Sequence, residues 1–275
     1  MKCNIVGRLA VSALLLVAPL SAASAADMAV KAPPSPVVAP TYSWTGFYIG
    51  GTAGGTWGSF DPKTSTECLI PGTGYFGCGN VPGVNAAGVQ SIKPTGFTGG
   101  FEAGYNWQAS NFVFGLEGDI ESFHLRGSAT TTAAYGNSPP GTVCPVPFDC
   151  FTINSSASTD WLSTVRGRVG VAANNWLFYA TGGAAVTSLR GNFSFSDTFP
   201  VSEAASISNT RVGYTAGGGL EVGLGSHWSV KAEYLYVNFG TLSTTGFLVQ
   251  FPTQPLFHSI NLKANIARAG LNYRF

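Results

Sequence analysis

A period-two alternation of apolar and charged residues runs through this chain, and no other feature constrains its fold so tightly. In ARAGLNYRF, the last nine residues, Ala267, Ala269, Leu271, Tyr273 and Phe275 share one face, and Arg268, Gly270, Asn272 and Arg274 share the other. Side chains that alternate in this way belong to a β-strand. In WSVKAEYLY, Trp228, Val230, Ala232, Tyr234 and Tyr236 oppose Ser229, Lys231 and Glu233. In TRVGYTAGGGLEVGL, Val212, Tyr214, Leu220 and Val222 oppose Arg211, Thr215 and Glu221. WLSTVRGRVGV sets Trp161, Val165, Val169 and Val171 against Thr164, Arg166 and Arg168. FVFGLEGDIES sets Phe112, Phe114, Leu116 and Ile120 against Glu117, Asp119 and Glu121, and GFTGGFEAGYNW sets its aromatics against Glu102. WLFYATGGAAV and GFYIGGTAGGTW alternate less cleanly at the right intervals, which brings the predicted strands to eight.

Their spacing is asymmetric. ASN at 109–111, ANN at 173–175 and GSH at 225–227 are tight turns. The other connections, roughly 59–94, 129–157, 196–209 and 243–257, are long. An even number of alternating strands, short turns on one rim and long loops on the other predict a transmembrane barrel. The fold class expected is all-β, an eight-stranded antiparallel up-and-down barrel with short periplasmic turns and four long external loops. Trp107, Phe112, Trp176, Trp228, Tyr273 and Phe275 beside the short turns predict one interfacial aromatic ring, and Trp57, Phe123, Trp161 and Tyr236 a second near the long loops. A soluble β-sandwich with an aromatic core is the alternative, but it does not explain tryptophans gathered at the short turns.

Composition agrees. Charged residues are 10% of the 275, against 45% hydrophobic, with 36 glycines. Ordinary soluble domains carry about 25% charge. A net charge of +1 without a basic run excludes a nucleic-acid partner. Residues 1–25 read as an export signal: Lys2 and Arg8, then LAVSALLLVAPL, then SAASA with a cleavage point after about Ala25. The apolar stretch is shorter than the ~20 residues of a spanning helix. Residues 26–43, containing KAPPSPVVAP, form an extended periplasmic linker, and the barrel occupies 44–275.

The charged faces must point inward, because an Arg or Lys facing lipid at mid-depth costs ~2–4 kcal/mol. The predicted lumen set is Glu102, Glu117, Asp119, Glu121, Glu221 and Glu233 with Arg166, Arg168, Arg211, Lys231, Arg268 and Arg274. An eight-stranded interior is just wide enough to be filled by side chains, so these pairs plug it. The competing reading is a narrow path through which a small porin passes ions or small solutes. Glu117 and Asp119 also suggest a hydrolase pair, but arginine partners and no implied pocket favour structure.

Four cysteines follow the signal. Cys68 and Cys78 lie in the first long loop, and Cys144 and Cys150 in the second. In an oxidising compartment they predict disulfides; three connectivities exist, and the local pairs Cys68–Cys78 and Cys144–Cys150 are favoured over a zinc site, which lacks a nearby histidine. His227 reads as an interface residue, with His124 and His258 near the external rim. HLRGS at 124–128 offers a rim His and Ser for a lipid-modifying enzyme, without an assignable acid. No nucleotide loop, nucleophile elbow or helical zinc motif occurs, so neither an enzyme nor a cofactor is expected.

YSWTGFYIGG at 42–51, GGFEAGYNWQ, GGGLEVGL and the terminal RAGLNYRF resemble the small outer-membrane β-barrel proteins of alphaproteobacteria, known as porin-like proteins, outer-membrane immunogenic proteins or opacity-type surface antigens. The resemblance covers about 42–275. It implies the outer membrane of a Gram-negative bacterium, a surface-antigen role, and contact with outer-membrane lipid and lipopolysaccharide. It also implies that Tyr273 and the terminal Phe275 are read by the outer-membrane assembly machinery. An external ligand, if there is one, falls to the loops.

Overall fold

A computed structural model describes residues 42–69, 74–136, 144 and 149–275. The expected signal and most of the linker lie outside them. Among the described residues no helix is long and apolar enough to cross a membrane; the chain crosses with strands. In order the strands of the described residues are β1 (Gly46–Phe60), β2 (Lys63–Thr66, too short to cross), β3 (Thr95–Ala109), β4 (Phe112–Ala134), β5 (Cys150–Ala173), β6 (Trp176–Asp197), β7 (Ser202–Leu224), β8 (Trp228–Phe247) and β9 (Pro255–Arg274), with helix α1 (Val81–Ala87) between β2 and β3.

Apart from β2, each strand pairs antiparallel with the next, and β1 pairs with β9 from Tyr48↔Arg274 to Phe60↔Leu262. This closes a ring of eight and removes the free edges a sheet would otherwise expose. The short β2 continues the line of β1 along β9, from Lys63↔Ser259 to Thr66↔Leu256.

The four external excursions are long, and the strands run far into those that follow β4, β6 and β8. A tilted strand crosses a bilayer in about 9–11 residues, whereas β5 has 24. The stretch read as a loop from 129 to 157 takes in the outer ends of β4 (to Ala134) and β5 (from Cys150), and only four residues separate β6 from β7. These outer ends face water rather than lipid, so Thr152, Asn154, Ser156 and Ser158 stand on β5 where Trp161, Val165 and Val169 stand lower down. Serine, threonine and asparagine weakened the hydrophobic contrast that marks a strand. Cys150, expected in a loop, opens β5.

Register shifts at Ser122/Leu125, Thr159/Leu162 and Asn238/Thr241 mark where the lipid-facing belt gives way to the external arms. β7 and β8 pair only over Tyr214–Leu224. Above that level their edges are bridged otherwise: Arg211 Nη2 donates to the carbonyls of Phe239 at 3.4 Å and Thr241 at 3.1 Å, and Val249 N–H donates to Ser202 O at 2.9 Å.

Candidate functional site: the lumen and its two ends

Ten of the predicted lumen residues meet in one buried layer. They reach it because β3, β4, β5, β7, β8 and β9 each carry their charges at alternate, inward positions. Arg166 donates from Nη2 to Asp119 at 2.9 Å and to Glu117, from Nη1 to Glu233 at 3.0 Å, and from Nε to Thr164 at 3.0 Å. Arg268 donates to Glu233 from Nε at 2.9 Å and Nη2 at 2.5 Å, to Asp119 at 3.1 Å, and to Glu121. Lys231 Nζ lies 2.6 Å from Glu102, 3.2 Å from Glu117 and 3.8 Å from Glu233. Arg168 pairs with Glu221 at 3.1 Å and Glu117 at 3.4 Å, and its guanidinium carbon sits 5.0 Å from the ring centres of both Tyr48 and Tyr179.

Six carboxyl groups (102, 117, 119, 121, 221 and 233) therefore share four cations (166, 168, 231 and 268), a negative excess of two if all are ionised. Neutral donors serve the surplus oxygens. Tyr48 Oη donates to Glu117 at 2.6 Å and Tyr179 Oη to Glu233 at 3.0 Å. Thr52 and Thr98 donate to Glu121 at 2.7 and 2.9 Å, and Ser229 and Asn272 to Glu221 at 2.5 and 3.2 Å. Charge-assisted bonds of this kind are about twice as strong as neutral ones. Sequence reasoning missed the two tyrosines. Their signal was the glycine opposite each: a Cβ at Gly104 would lie 2.4 Å from Tyr48 Oη, and one at Gly219 2.7 Å from Tyr179 Oη.

Two predicted members lie elsewhere. Arg211 is the bridge across the β7–β8 gap described above. Arg274 sits at the short-turn end, where it donates to Ser226 O at 3.0 Å and to Ser43 O, with its guanidinium 4.3 Å from the Tyr42 ring centre. Both share the alternation of the other ten but sit beyond the layer's height, which periodicity alone does not reveal. Burial pushes the Tyr42 phenol above its ordinary range.

Above the ionic layer the inward side chains are mainly apolar. Phe60, Phe123, Leu162, Leu235, Phe239 and Leu262 belong to one buried cluster. Phe123, expected in the outer aromatic ring, is thus an interior residue. Trp57 and Tyr234 do pack on the outside, with ring centres 6.2 Å apart. At the short-turn end Trp44, Val113 and Leu177 are buried together beneath Tyr179, while Trp107, Phe112, Trp176, Trp228 and Phe275 are exposed on the outer face.

The histidines divide. His227 stacks on Tyr273 with ring centres 5.6 Å apart, and His124 pairs with Ser122 Oγ at 2.7 Å rather than with an acid. His258, expected near the rim, is buried inside. Its Nδ1 lies 2.9 Å from Thr64 Oγ1 and its Nε2 3.1 Å from Glu203 Oε1. Hydroxyl, imidazole and carboxylate in that order match the parts of a nucleophilic triad. All three side chains are shut off from solvent between β2, β9 and β7.

At the external end, Cys68 pairs with Cys78 and Cys144 with Cys150. Tyr135 donates to Asp197 Oδ2 at 2.8 Å, and Tyr75 donates to the same oxygen. Burial and that carboxylate push both phenols well above their ordinary range. Among the described residues no group of three or more His, Cys, Asp or Glu is placed to hold a metal ion.

Comparison with known proteins gives concordant matches. The family described as outer membrane protein beta-barrel domain matches residues 12–275. The chain is 32% identical over 262 residues to the 31 kDa outer-membrane immunogenic protein of Brucella melitensis biotype 1, covering 93% of this chain and 94% of that one. It is 30% identical over 273 residues to the 25 kDa outer-membrane immunogenic protein of Brucella abortus biovar 1, covering 96% of each. A 22 kDa outer membrane protein of Rhizobium leguminosarum bv. viciae is 28% identical over 202 residues, covering 74% of this chain and 67% of the relative.

Proposed function

Because the chain belongs to the outer membrane protein beta-barrel family, we propose that it acts as a sealed surface barrel, whose membrane part is an anchor and whose external arms do its work. The observation that carries this reading is the double filling of the lumen. An ion traversing the barrel would have to part the contacts of Arg166, Arg268 and Lys231 with their carboxylates and then displace the apolar side chains around Phe123 and Phe239. A bare ion gains nothing in the second layer to offset the water it leaves behind. The relatives' names, outer-membrane immunogenic protein, support arms that stand outside the cell. Those arms, tied by two disulfides, are the surface an external ligand would meet.

The test is single-channel recording on full-length protein in planar bilayers, with insertion verified by a mobility difference between boiled and unboiled samples. Silence is the expected result. Stable steps of open-pore size would overturn the sealed barrel in favour of a small porin. A rim enzyme built on His124 and Ser128 has little support, since His124 pairs with Ser122; His124→Ala should leave the cell's lipid profile unchanged. Export through a leader cleaved after about Ala25 belongs to the same reading, and N-terminal sequencing of the membrane form tests it.

A further inference from the structure

The outer face of β4–β6 carries a charged group that the lumen does not use. Arg126 on β4 and Arg190 on β6 both pair with Asp160 on β5, through Nη2 at 3.1 Å and Nη1 at 2.7 Å. Arg126 registers with Ser158 and Ser158 with Arg190, so the two guanidiniums share one row across three strands. Their side chains are 67% and 57% exposed. Each guanidinium has five N–H donors, and one carboxylate occupies only a few of the ten. On the outward positions of β4 to β8 there is no other Asp, Glu, Lys or Arg. Exposed ion pairs contribute ~0–1 kcal/mol to stability, so fold maintenance does not account for placing the sole external charges of five strands together.

Their height is informative. Toward the short turns Trp161 lies beside the group, His124, Ser122 and Ser188 follow on the neighbouring strands, and then Ile120, Val186 and Val212 share one row with Ser163. One step the other way the outer face becomes hydroxyl and amide: Ser128, Thr130, Asn154, Ser156, Asn192 and Ser194 border a depression of about 530 Å³. The wall therefore reads, from lipid outward, a mainly apolar row, a short step of Trp161 with His124, Ser122 and Ser188, a guanidinium pair with net charge +1, and a polar shelf.

We propose that this face binds a phosphorylated glycolipid of the outer leaflet, with acyl chains along Ile120, Val186 and Val212, a phosphate between Arg126 and Arg190, and sugar hydroxyls on the Ser/Thr/Asn shelf. Guanidinium pairs suit phosphate because their planar donors match its oxygens two at a time. Asp160 holds the two arginines in place and competes with the phosphate for them. The proposal rests on the outer-membrane location and is independent of whether the lumen conducts.

The test uses the full chain folded in uncharged detergent micelles and titrated with lipid A, the bound lipid counted by native mass spectrometry. Arg126→Gln/Arg190→Gln should weaken binding at least about tenfold, the worth of one lost charge-assisted bond. Asp160→Asn should tighten binding, because it frees donors and removes the competing charge; a purely structural role predicts the opposite. Dephosphorylated lipid A should bind wild type no better than lipid A binds the double variant. Lys263→Gln, on the outer face of β9, should change nothing. Unaltered affinity in the double variant, weaker binding by Asp160→Asn, or equal binding of the dephosphorylated lipid would each overturn the assignment. Equal binding of phosphatidylglycerol would overturn the sugar contacts. If the double variant does not fold, shown by loss of heat-dependent mobility, Asp160→Asn and the two lipids still decide.

Discussion

The lower and upper halves of the barrel interior are built from the same strands and have opposite chemistry. β4 carries Glu117, Asp119 and Glu121 inward, then Phe123 and Leu125. β8 carries Lys231 and Glu233, then Leu235, Val237 and Phe239. The outer face changes at the same height and in the opposite sense, from Phe114, Leu116 and Ile120 to Ser128 and Thr130 on β4. Where lipid lies outside, the interior is mainly ionic; where water lies outside, it is mainly apolar, with the Thr64–His258–Glu203 cluster as the polar exception. In lipid an apolar interior gains little, because acyl chains are as apolar as leucine, and cohesion comes from packing and polar pairing. Above the bilayer the hydrophobic effect returns and the arms take the polarity of an ordinary soluble β-structure.

The sharpest way to break this comparison is to unbalance the ionic half. Arg268→Leu leaves Glu121 without its cation and takes one cation each from Asp119 and Glu233, which keep Arg166, all among buried side chains. Removing one side of a buried pair costs ~3–5 kcal/mol. Urea unfolding in micelles, followed by tryptophan fluorescence, should show a loss of that size; a loss below about 1 kcal/mol would mean that water reaches the layer and that it is no plug.

The matching cut in the apolar half is Leu235→Ala. A buried leucine truncated in a packed core costs ~2–5 kcal/mol, and we expect about 3 kcal/mol by the same assay. The two variants should differ in where the damage appears. Hydrogen exchange should accelerate in the outer ends of β4–β9 for Leu235→Ala, and throughout the barrel for Arg268→Leu.

A smaller effect, confined to the arms, should follow pH. Tyr75 and Tyr135 hold their protons more tightly in the folded arm than in the unfolded chain, because burial and Asp197 disfavour the phenolates. Their contribution is fully present below the unfolded value of about 10 and is lost as pH rises through the higher folded values. Alkaline titration should loosen the β6–β7 end, read as faster proteolysis there, while the lipid-embedded belt stays intact. Tyr75→Phe/Tyr135→Phe should abolish that pH dependence.

This division explains what the sequence revealed. The embedded half was legible because lipid outside and charge inside give the strongest contrast a strand can show, as in FVFGLEGDIES. The arms were hidden because FTINSSASTD sets Ile153 and Ala157 against Thr, Asn and Ser, a contrast that a loop also shows. Arg211 and Arg274 were assigned to the lumen from period alone. Period gives the face of a strand and not the height, and both lie outside the ionic layer. The Thr64–His258–Glu203 cluster was out of reach, since its members lie 194 and 55 residues apart and meet only when the barrel closes.

Phe275 supplies the smallest predicted effect on the finished barrel and separates assembly from stability. Its N–H donates to Phe47 O at 3.0 Å, and its ring lies 5.7 Å from that of Phe47 and 5.2 Å from that of Tyr273. The side chain is 67% exposed on the outer face, so it seals neither half of the lumen. β1 and β9 are already joined from Tyr48↔Arg274 upward. Deleting Phe275 should therefore cost about 1 kcal/mol in micelles, the size of a lost aromatic pair. If the terminal aromatic is what the assembly machinery reads, the same deletion should lower the folded, heat-modifiable fraction in cell membranes several-fold. Equal losses in both settings would make Phe275 a structural residue. A cellular loss far larger than the one in micelles would set it apart from the interior residues, whose substitution should weaken the barrel equally in cells and in detergent.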